Sequence, residues 1–572
     1  MKLTTRVILL FLFFLSSRLV MASVPTSLQE SGQEALRQIE EDNKNINQKF
    51  EEKKKENETP PESEFFKGNN YPNSPKIFIK KIIVKNNKIL SLEEVNKVIK
   101  PFEESSLGLR DMHKVAYLLT VACRQKGFVT FLAILPPQHI SNNTIVIEIR
   151  EGLMGETIVR GNHYFKKSFY QRNITLKRDE KLNYNQLQQD VSLINQSQDL
   201  HVKLVLVPGQ ELHQTDVILN VKDRLPIHAE FSYDNYSSKY IGQNGFTGIL
   251  KDDNLLGFGD TLTLEYQGTN AALEELNLLS YSLPVTNKTD IGVYAASNKL
   301  ELNGQFEDLM ARGKSRLYGF FINQKFITRQ DFKIVLNGGF DYKDVYNFLD
   351  RQTTSQDRLR IVKLGFNVDY TDQFYGRNIF NNEIDSAIPG IMGGLRSVDP
   401  RASTVGAGGE FEKDLTDFIR LQKLIGGSTL LLKSQVQFSS TVLPAVEQYQ
   451  LGGPANVRGF IAGEAVGDSG QSVTSELNFP MYGIPRSIRV PFTSSYLYND
   501  VKIAAFYDWG HVALRDPQAG ESKSRILDSY GTGLRVNLPY NFYFLLDFAW
   551  PVTGNPSDMK HEHTWIQITK SF

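Results

Sequence analysis

Between Pro226 and Phe572, apolar and polar side chains trade places along the chain with a period of two. In Thr261-Leu262-Thr263-Leu264-Glu265-Tyr266-Gln267, Leu262, Leu264 and Tyr266 fall on one face and only polar groups on the other. Val501, Ile503, Ala505, Tyr507 and Trp509 likewise alternate with Lys502, Ala504, Phe506, Asp508 and Gly510. Successive strand residues point to opposite faces, so such segments build a wall with one oily and one polar surface. A soluble sandwich also alternates. Two features favour a transmembrane barrel, oily outside and wet inside. Aromatic residues stand at strand ends (Tyr507, Trp509, Trp550 and Trp565), where they look like interfacial girdles, and long polar segments separate the strands.

Upstream the period changes. Residues 76–151 predict the order β-α-α-β-β. Ile77, Ile79, Ile82 and Val84 suggest a strand with a slip at Lys80-Lys81. Ser91 with Glu94 is a capping box that opens a short helix ending before Pro101. A second helix, about Leu109–Lys126, stops at Gly127, and strands follow at Phe128–Leu135 and Thr144–Arg150, parted by Pro136-Pro137. Residues 152–225 repeat that order, with a strand at Glu156–Arg160, helices around Lys166–Leu176 and Tyr184–Asn195, and strands at Val202–Pro208 and Thr215–Val221.

Residues 23–56 read as a polar helix, in which Leu36, Ile39, Asn43, Ile46 and Phe50 share one thin face. Residues 57–75 carry Pro60, Pro61, Pro72 and Pro75 and read as a linker. At the start, Lys2 and Arg6 precede the apolar run Val7–Leu15, and Val20-Met21-Ala22 offers small residues for cleavage, so residues 1–22 are expected to be a signal peptide. That run, at about 1.5 Å per residue, cannot cross about 30 Å of hydrocarbon. No other run is long enough, so residence in a membrane requires a barrel.

Composition adds three exclusions. The 64 Lys+Arg balance 64 Asp+Glu, so no basic excess points to nucleic acid. A single cysteine, Cys123, excludes an intramolecular disulfide and a cysteine metal cluster, and its helical apolar neighbours mark it as core. Nine histidines show no His-Glu-x-x-His spacing, and His561 with His563 read as a loop or rim feature. Gly242, Gly245 and Gly248 read as turn and bulge glycines, and no phosphate-cradling loop or nucleophile–base constellation is present. The chain is expected not to be an enzyme and to hold no metal or other cofactor.

The most specific segment is Leu443-Pro444-Ala445-Val446-Glu447-Gln448-Tyr449-Gln450-Leu451-Gly452-Gly453-Pro454-Ala455-Asn456-Val457-Arg458-Gly459-Phe460. It resembles the signature of two-partner secretion transporters of the haemolysin secretion/activation (TpsB) family. Its Val-Arg-Gly-Phe core is shared by the wider POTRA-barrel superfamily, barrel-assembly insertases included. Gly127-Phe128-Val129 leading to Leu135-Pro136-Pro137-Gln138 is similar to the ending of the family's first POTRA domain, and Leu206-Val207-Pro208-Gly209 with Asp216-Val217-Ile218-Leu219 to that of the second.

The resemblance implies an outer-membrane antiparallel β-barrel of about 16 strands over residues 226–572, roughly 22 residues per strand and connection. Ahead of it would stand two α+β POTRA domains and the N-terminal helix, in the place of the family's plug. In the family the signature is an extracellular loop folded back into the lumen. Here Gly452, Gly453, Val457, Arg458, Gly459 and Phe460 would form it, the paired glycines permitting a tight reversal. Phe506-Tyr507-Asp508-Trp509-Gly510 is similar to the family's Phe-x-Asp-x-Gly strand, and the alternation puts Asp508 inside. An Arg458–Asp508 pair locking the loop to the wall, flanked by Phe506 and Gly510, is therefore expected. Glu476, Arg535 and Asp547 share the inward parity, and for each of them solvation of a wet lumen is the preferred reading. Phe572 would be the strand signal read by the assembly machinery.

By the same resemblance, the partner is a secreted exoprotein, β-helical and unfolded on arrival in the periplasm. Its N-terminal secretion domain would dock on the periplasmic POTRA pair and thread through a barrel in the outer membrane of a Gram-negative bacterium. Outer-membrane lipids, and the barrel-assembly machinery during biogenesis, complete the expected partners. The alternative is a barrel-assembly insertase. A passive porin is disfavoured because it needs no POTRA pair.

Overall fold

The computed structural model describes residues 74–572 apart from positions 272, 330, 492 and 494. The expected signal peptide, the helix at 23–56 and nearly all of the linker lie outside the described residues. Among the described residues, those up to Leu225 and those from Pro226 form two separate units.

In the first unit β1 (Ile77–Ile79) and β2 (Lys81–Lys85) belong to different sheets. The slip at Lys80-Lys81 is the passage between them. Helix α1 (Leu92–Ile99) opens with a complete box: Glu94 N–H donates to Ser91 Oγ at 3.2 Å and Ser91 N–H to the Glu94 carboxylate at 2.7 Å. A short β3 (Ser105–Leu107), not foreseen in the sequence, pairs with β1. Helix α2 (Leu109–Gln125) stops at Gly127, whose φ of 91° suits glycine. Cys123 is buried in the core, and burial pushes its thiol up to about 11.

The strand expected at Phe128–Leu135 shrinks to β4 (Leu132–Ile134), beside β5 (Thr144–Arg150). Pro136 and Pro137 have no N–H to give. Gln138 continues the ladder with its side chain instead: its Nε2 donates to Val146 O at 2.8 Å and its Oε1 accepts from Val146 N–H at 2.7 Å.

The next segment has β6 (Leu153–Arg160), α3 (Lys167–Asn173), α4 (Tyr184–Ile194), β7 (Leu200–Pro208) and β8 (Gln214–Asp223). Its topology copies the first: β6 runs parallel to β8 and β7 antiparallel on the other side, as β2 and β4 flank β5. Asn195 brackets the edge strand, accepting from Val202 N–H at 2.7 Å and donating to Val202 O at 2.9 Å. The backbone groups of Val202 therefore point away from β8. By the period of two, so do those of Leu204 and Leu206.

The barrel begins with β9 (Ile227–Asp234), β10 (Gly245–Asp252), β11 (Thr261–Thr269), β12 (Glu274–Pro284) and β13 (Thr289–Glu301). The strands lengthen in β14 (Arg312–Thr328), β15 (Phe332–Leu349) and β16 (Gln352–Thr371), then shorten in β17 (Gly376–Ala387), β18 (Phe411–Lys423) and β19 (Thr429–Ser439). A small hairpin, β20 (Tyr449–Leu451) and β21 (Ala465–Gly467), stands apart. The wall resumes with β22 (Ser469–Pro480), β23 (Val501–Ala513), β24 (Ser524–Leu538), β25 (Phe542–Thr553) and β26 (His563–Ser571). Without the hairpin these make a closed antiparallel barrel of 16 strands, sealed where β26 pairs with β9.

Phe231, Leu264, Tyr266, Phe320, Leu364, Tyr507 and Tyr530 stand exposed on the outer wall, an apolar surface suited to lipid. Among the described residues no helix is long and apolar enough to cross a membrane. Trp550 stacks on Tyr530 at 5.6 Å. Trp565 breaks the girdle expectation. It sits opposite Asp547 and is buried in the interior, because it shares the parity of Gln567, Thr569 and Ser571 while Ile566 and Ile568 take the other face. Gly245 and Gly248 also differ from expectation: both lie in β10 with unbroken register, and only Gly242, φ 92°, is a turn glycine.

Opposite the end where β9 enters, connections of the barrel contribute to a buried core. Leu302, Phe306, Leu395, Leu443 and Val446 pack there with Val345, Leu359 and Phe411 into one apolar cluster.

Candidate functional site

The connection between β19 and β22 runs from Ser440 to Asp468 and holds the β20–β21 hairpin. Its paired glycines turn as the sequence requires, with φ of 109° at Gly452 and 92° at Gly453. Asn456 secures the reversal: its Oδ1 accepts from Gly452 N–H and Val457 N–H, both at 2.8 Å. Val457 and Phe460 are fully buried, packed with Tyr449, Leu451, Ala465, Val512 and Leu527. Two greasy anchors thus flank one cation.

That cation is Arg458. Its Nε and Nη2 fork onto the two oxygens of Asp508 at 2.9 Å each, and its own backbone N–H adds a third contact at 3.1 Å. Nη1 reaches Glu476 at 2.7 Å and Asp547 at 3.2 Å. Arg535 joins the same two carboxylates from the wall, at 2.8 Å to Glu476 and 2.5 Å to Asp547. The guanidinium lies 3.3 Å from the centroid of the Phe506 ring. Trp565 donates its indole N–H to the Arg458 carbonyl at 2.7 Å, and Gly459 N–H donates to Ser529 Oγ at 3.0 Å.

Each residue of the β23 motif has a contact to make. Phe506 lies beneath the cation, Asp508 holds it, and Gly510 leaves room for the hairpin. A Cβ at Gly510 would fall 2.2 Å from Leu451 Cδ1. Asp508 is wholly buried and Arg458 is 4% exposed, so the pair is desolvated and its bonds are stronger than in water.

Glu476, Arg535 and Asp547 face inward as their parity requires, yet they do not merely solvate a wet lumen. They are buried, and they complete a cluster of two guanidiniums and three carboxylates. Removing one member of such a buried set leaves another charge unpaired, at a cost of about 3–5 kcal/mol. Phe572 is exposed, with its N–H on Ala229 O at 2.8 Å, Lys570 Nζ 4.1 Å above its ring and Phe231 edge-on. His563 stacks on Trp565 with Nε2 3.1 Å from Asp558, at the start of β26.

Sequence reasoning missed two things. Trp565 was assigned to the lipid face. A second group of buried charges, Lys343, Lys413, Asp385 and the loop residue Glu447, went unremarked. Asp341 and Lys343 alternate with Phe340 and Tyr342 in β15, which was the available signal.

Residues 213–536 match the family model described as haemolysin secretion/activation protein ShlB/FhaC/HecB, and residues 77–152 match the ShlB-type POTRA domain. The heme/hemopexin transporter protein HuxB of Haemophilus influenzae is 23% identical over 562 residues, covering 93% of this chain and 95% of that one. In fold the chain resembles CdiB from Escherichia coli, with a TM-score of 0.67 at 18% identity over 96% of this chain and all 100% of that one. BamA from Haemophilus ducreyi lacking POTRA domains 1-3 also aligns, with a TM-score of 0.54 at 16% identity over 87% of this chain and 100% of that one.

Proposed function

We propose, from the premise that the chain belongs to the haemolysin secretion/activation (ShlB/FhaC/HecB) family, that it is an outer-membrane transporter which exports one exoprotein by two-partner secretion. The observation that carries this reading is a ShlB-type POTRA unit ahead of a 16-stranded barrel whose interior holds a loop fastened by buried ion pairs. A barrel-assembly insertase would share the barrel but not the match to this family.

The proposed organisation is a signal peptide (1–22), a plug-like helix (23–56), a linker (57–75), POTRA units at 76–151 and 152–225, and the barrel. The POTRA units work in the periplasm, where the exoprotein arrives unfolded. The open edge of β7 suits an extended client segment, since the backbone groups of Leu204 and Leu206 point outward there. The client then meets a lumen barred by the loop. Arg458 holds that loop on Asp508, Glu476 and Asp547, and release of this lock clears the path. Folding of the client outside supplies the pull, with no cofactor. Lipids contact the apolar outer wall, and the assembly machinery reads the β26 end at Phe572.

The test is deletion of the gene in its bacterium, followed by quantitative comparison of the secreted and outer-membrane proteomes. Loss of one large secreted protein with other barrel proteins unchanged is expected. A general fall in outer-membrane barrels would favour the insertase.

A further inference from the structure

The same loop is gripped a second time, at its root. Glu447 is 2% exposed and lies between two ammonium groups: Oε1 is 2.7 Å from Lys343 Nζ on β15 and Oε2 is 2.5 Å from Lys413 Nζ on β18. Both lysines are as buried as the carboxylate, and Lys413 also reaches Asp385 of β17 at 3.2 Å. The Glu447 carbonyl accepts from Gln437 Nε2 at 2.9 Å. Two residues before it, Ala445 N–H donates to Ser403 Oγ at 2.9 Å, and Leu443 and Val446 enter the apolar cluster at that end of the barrel. The two lysines and Asp385 stand on β15, β17 and β18, Gln437 stands on β19, and Ser403 lies in the connection between β17 and β18. The partners of Arg458 stand on β22, β23, β25 and β26.

We propose that Glu447 is a positioning residue, a second clamp that holds the root of the loop independently of the Arg458 lock at the tip. The proposal rests on the reading that the loop must move for a client to pass. The two grips have opposite sense. At the tip a cation of the loop enters a wall rich in carboxylates; at the root an anion of the loop enters a wall rich in ammonium groups. Taking away the Glu447 carboxylate removes the anion that the loop itself offers to Lys343 and Lys413 and leaves them to carboxylates of the wall, Asp385 and Asp341 among them. Such a site no longer favours the loop. Tip and root share no ion pair, so each can open while the other stays shut.

Hydrogen exchange on the purified full chain in lipid nanodiscs reads the two grips separately, through peptides within 440–450 and 454–462. Glu447→Gln is expected to speed exchange at the root roughly tenfold or more, leaving the tip and the barrel strands slow. Arg458→Ala is expected to do the reverse, and the double variant to show both effects in full. An unchanged root in Glu447→Gln overturns the proposal. So does a root and tip that quicken together in either single variant, which would mean one clamp and not two. An even rise across all strands overturns it as well, since Glu447 would then support the barrel as a whole. A root that loosens in Glu447→Gln supports the proposal even where Arg458→Ala leaves the tip unmoved, an outcome that would remove only the tip lock.

Discussion

Asp508 takes three donors from one residue: the two arms of the Arg458 guanidinium and its backbone N–H. Arg458→Ala and Asp508→Ala are each expected to cut export roughly tenfold or more while the barrel still inserts, since either change strands a buried charge. The double variant should be no worse than the worse single. The amount of exoprotein in the medium, normalised to transporter in the membrane, checks this, and a double variant far below both singles would show independent action. This pair was legible in the sequence because a loop motif supplied the cation and strand parity supplied the facing carboxylate. The convergence of Glu476, Arg535 and Asp547 was not. Parity gives the face of a strand but not the height on it, and height here follows from register: Glu476 sits across from Phe506, and Gly533 from Asp547. Glu447 was harder still, because its lysine partners lie 104 and 34 positions away along the chain.

At the scale of elements, local chemistry was the reliable guide. The capping box at Ser91, the stop at Gly127 and the tandem order of the two α+β units were all readable from single residues and short periods. What escaped was pairing. Whether Ile77–Ile79 and Lys81–Lys85 share a sheet depends on β3 and β5, which are distant in sequence. The parity of β26 would have placed Trp565 inside, had Gln567 and Thr569 weighed more than the habit of tryptophan at membrane interfaces. The β7 edge yields a prediction of its own. Leu206 turns its backbone groups outward, so Leu206→Pro removes a donor that an added client strand would use. Leu206→Ala keeps that donor while losing a similar amount of core contact. Capture of the client's secretion domain by the solubilised full chain should fail with proline and persist, weakened by no more than a few-fold, with alanine. Equal loss in both would place recognition away from this edge.

For the molecule as a whole, the expected helix at residues 23–56 matters because of its length. About 1.5 Å per residue makes it long enough to traverse a barrel. If it fills the lumen beside the loop, deletion of residues 24–56 should raise single-channel conductance in planar bilayers by roughly two-fold or more without abolishing export. Unchanged conductance would demote the segment to a tether.

The indole of Trp565, bonded to the Arg458 carbonyl, carries a consequence for chronology. It belongs to β26, the barrel strand latest in chain order, which meets β9 over only five positions, with Asn235 lending its side chain to Thr564 and Ile566 just beyond. Asp547, one strand earlier, is nearly as late. The arginine therefore cannot find its full set of neighbours in a half-made wall. A seated loop is a certificate that the cylinder has been completed, and a nascent transporter stays unlatched until its final strand docks.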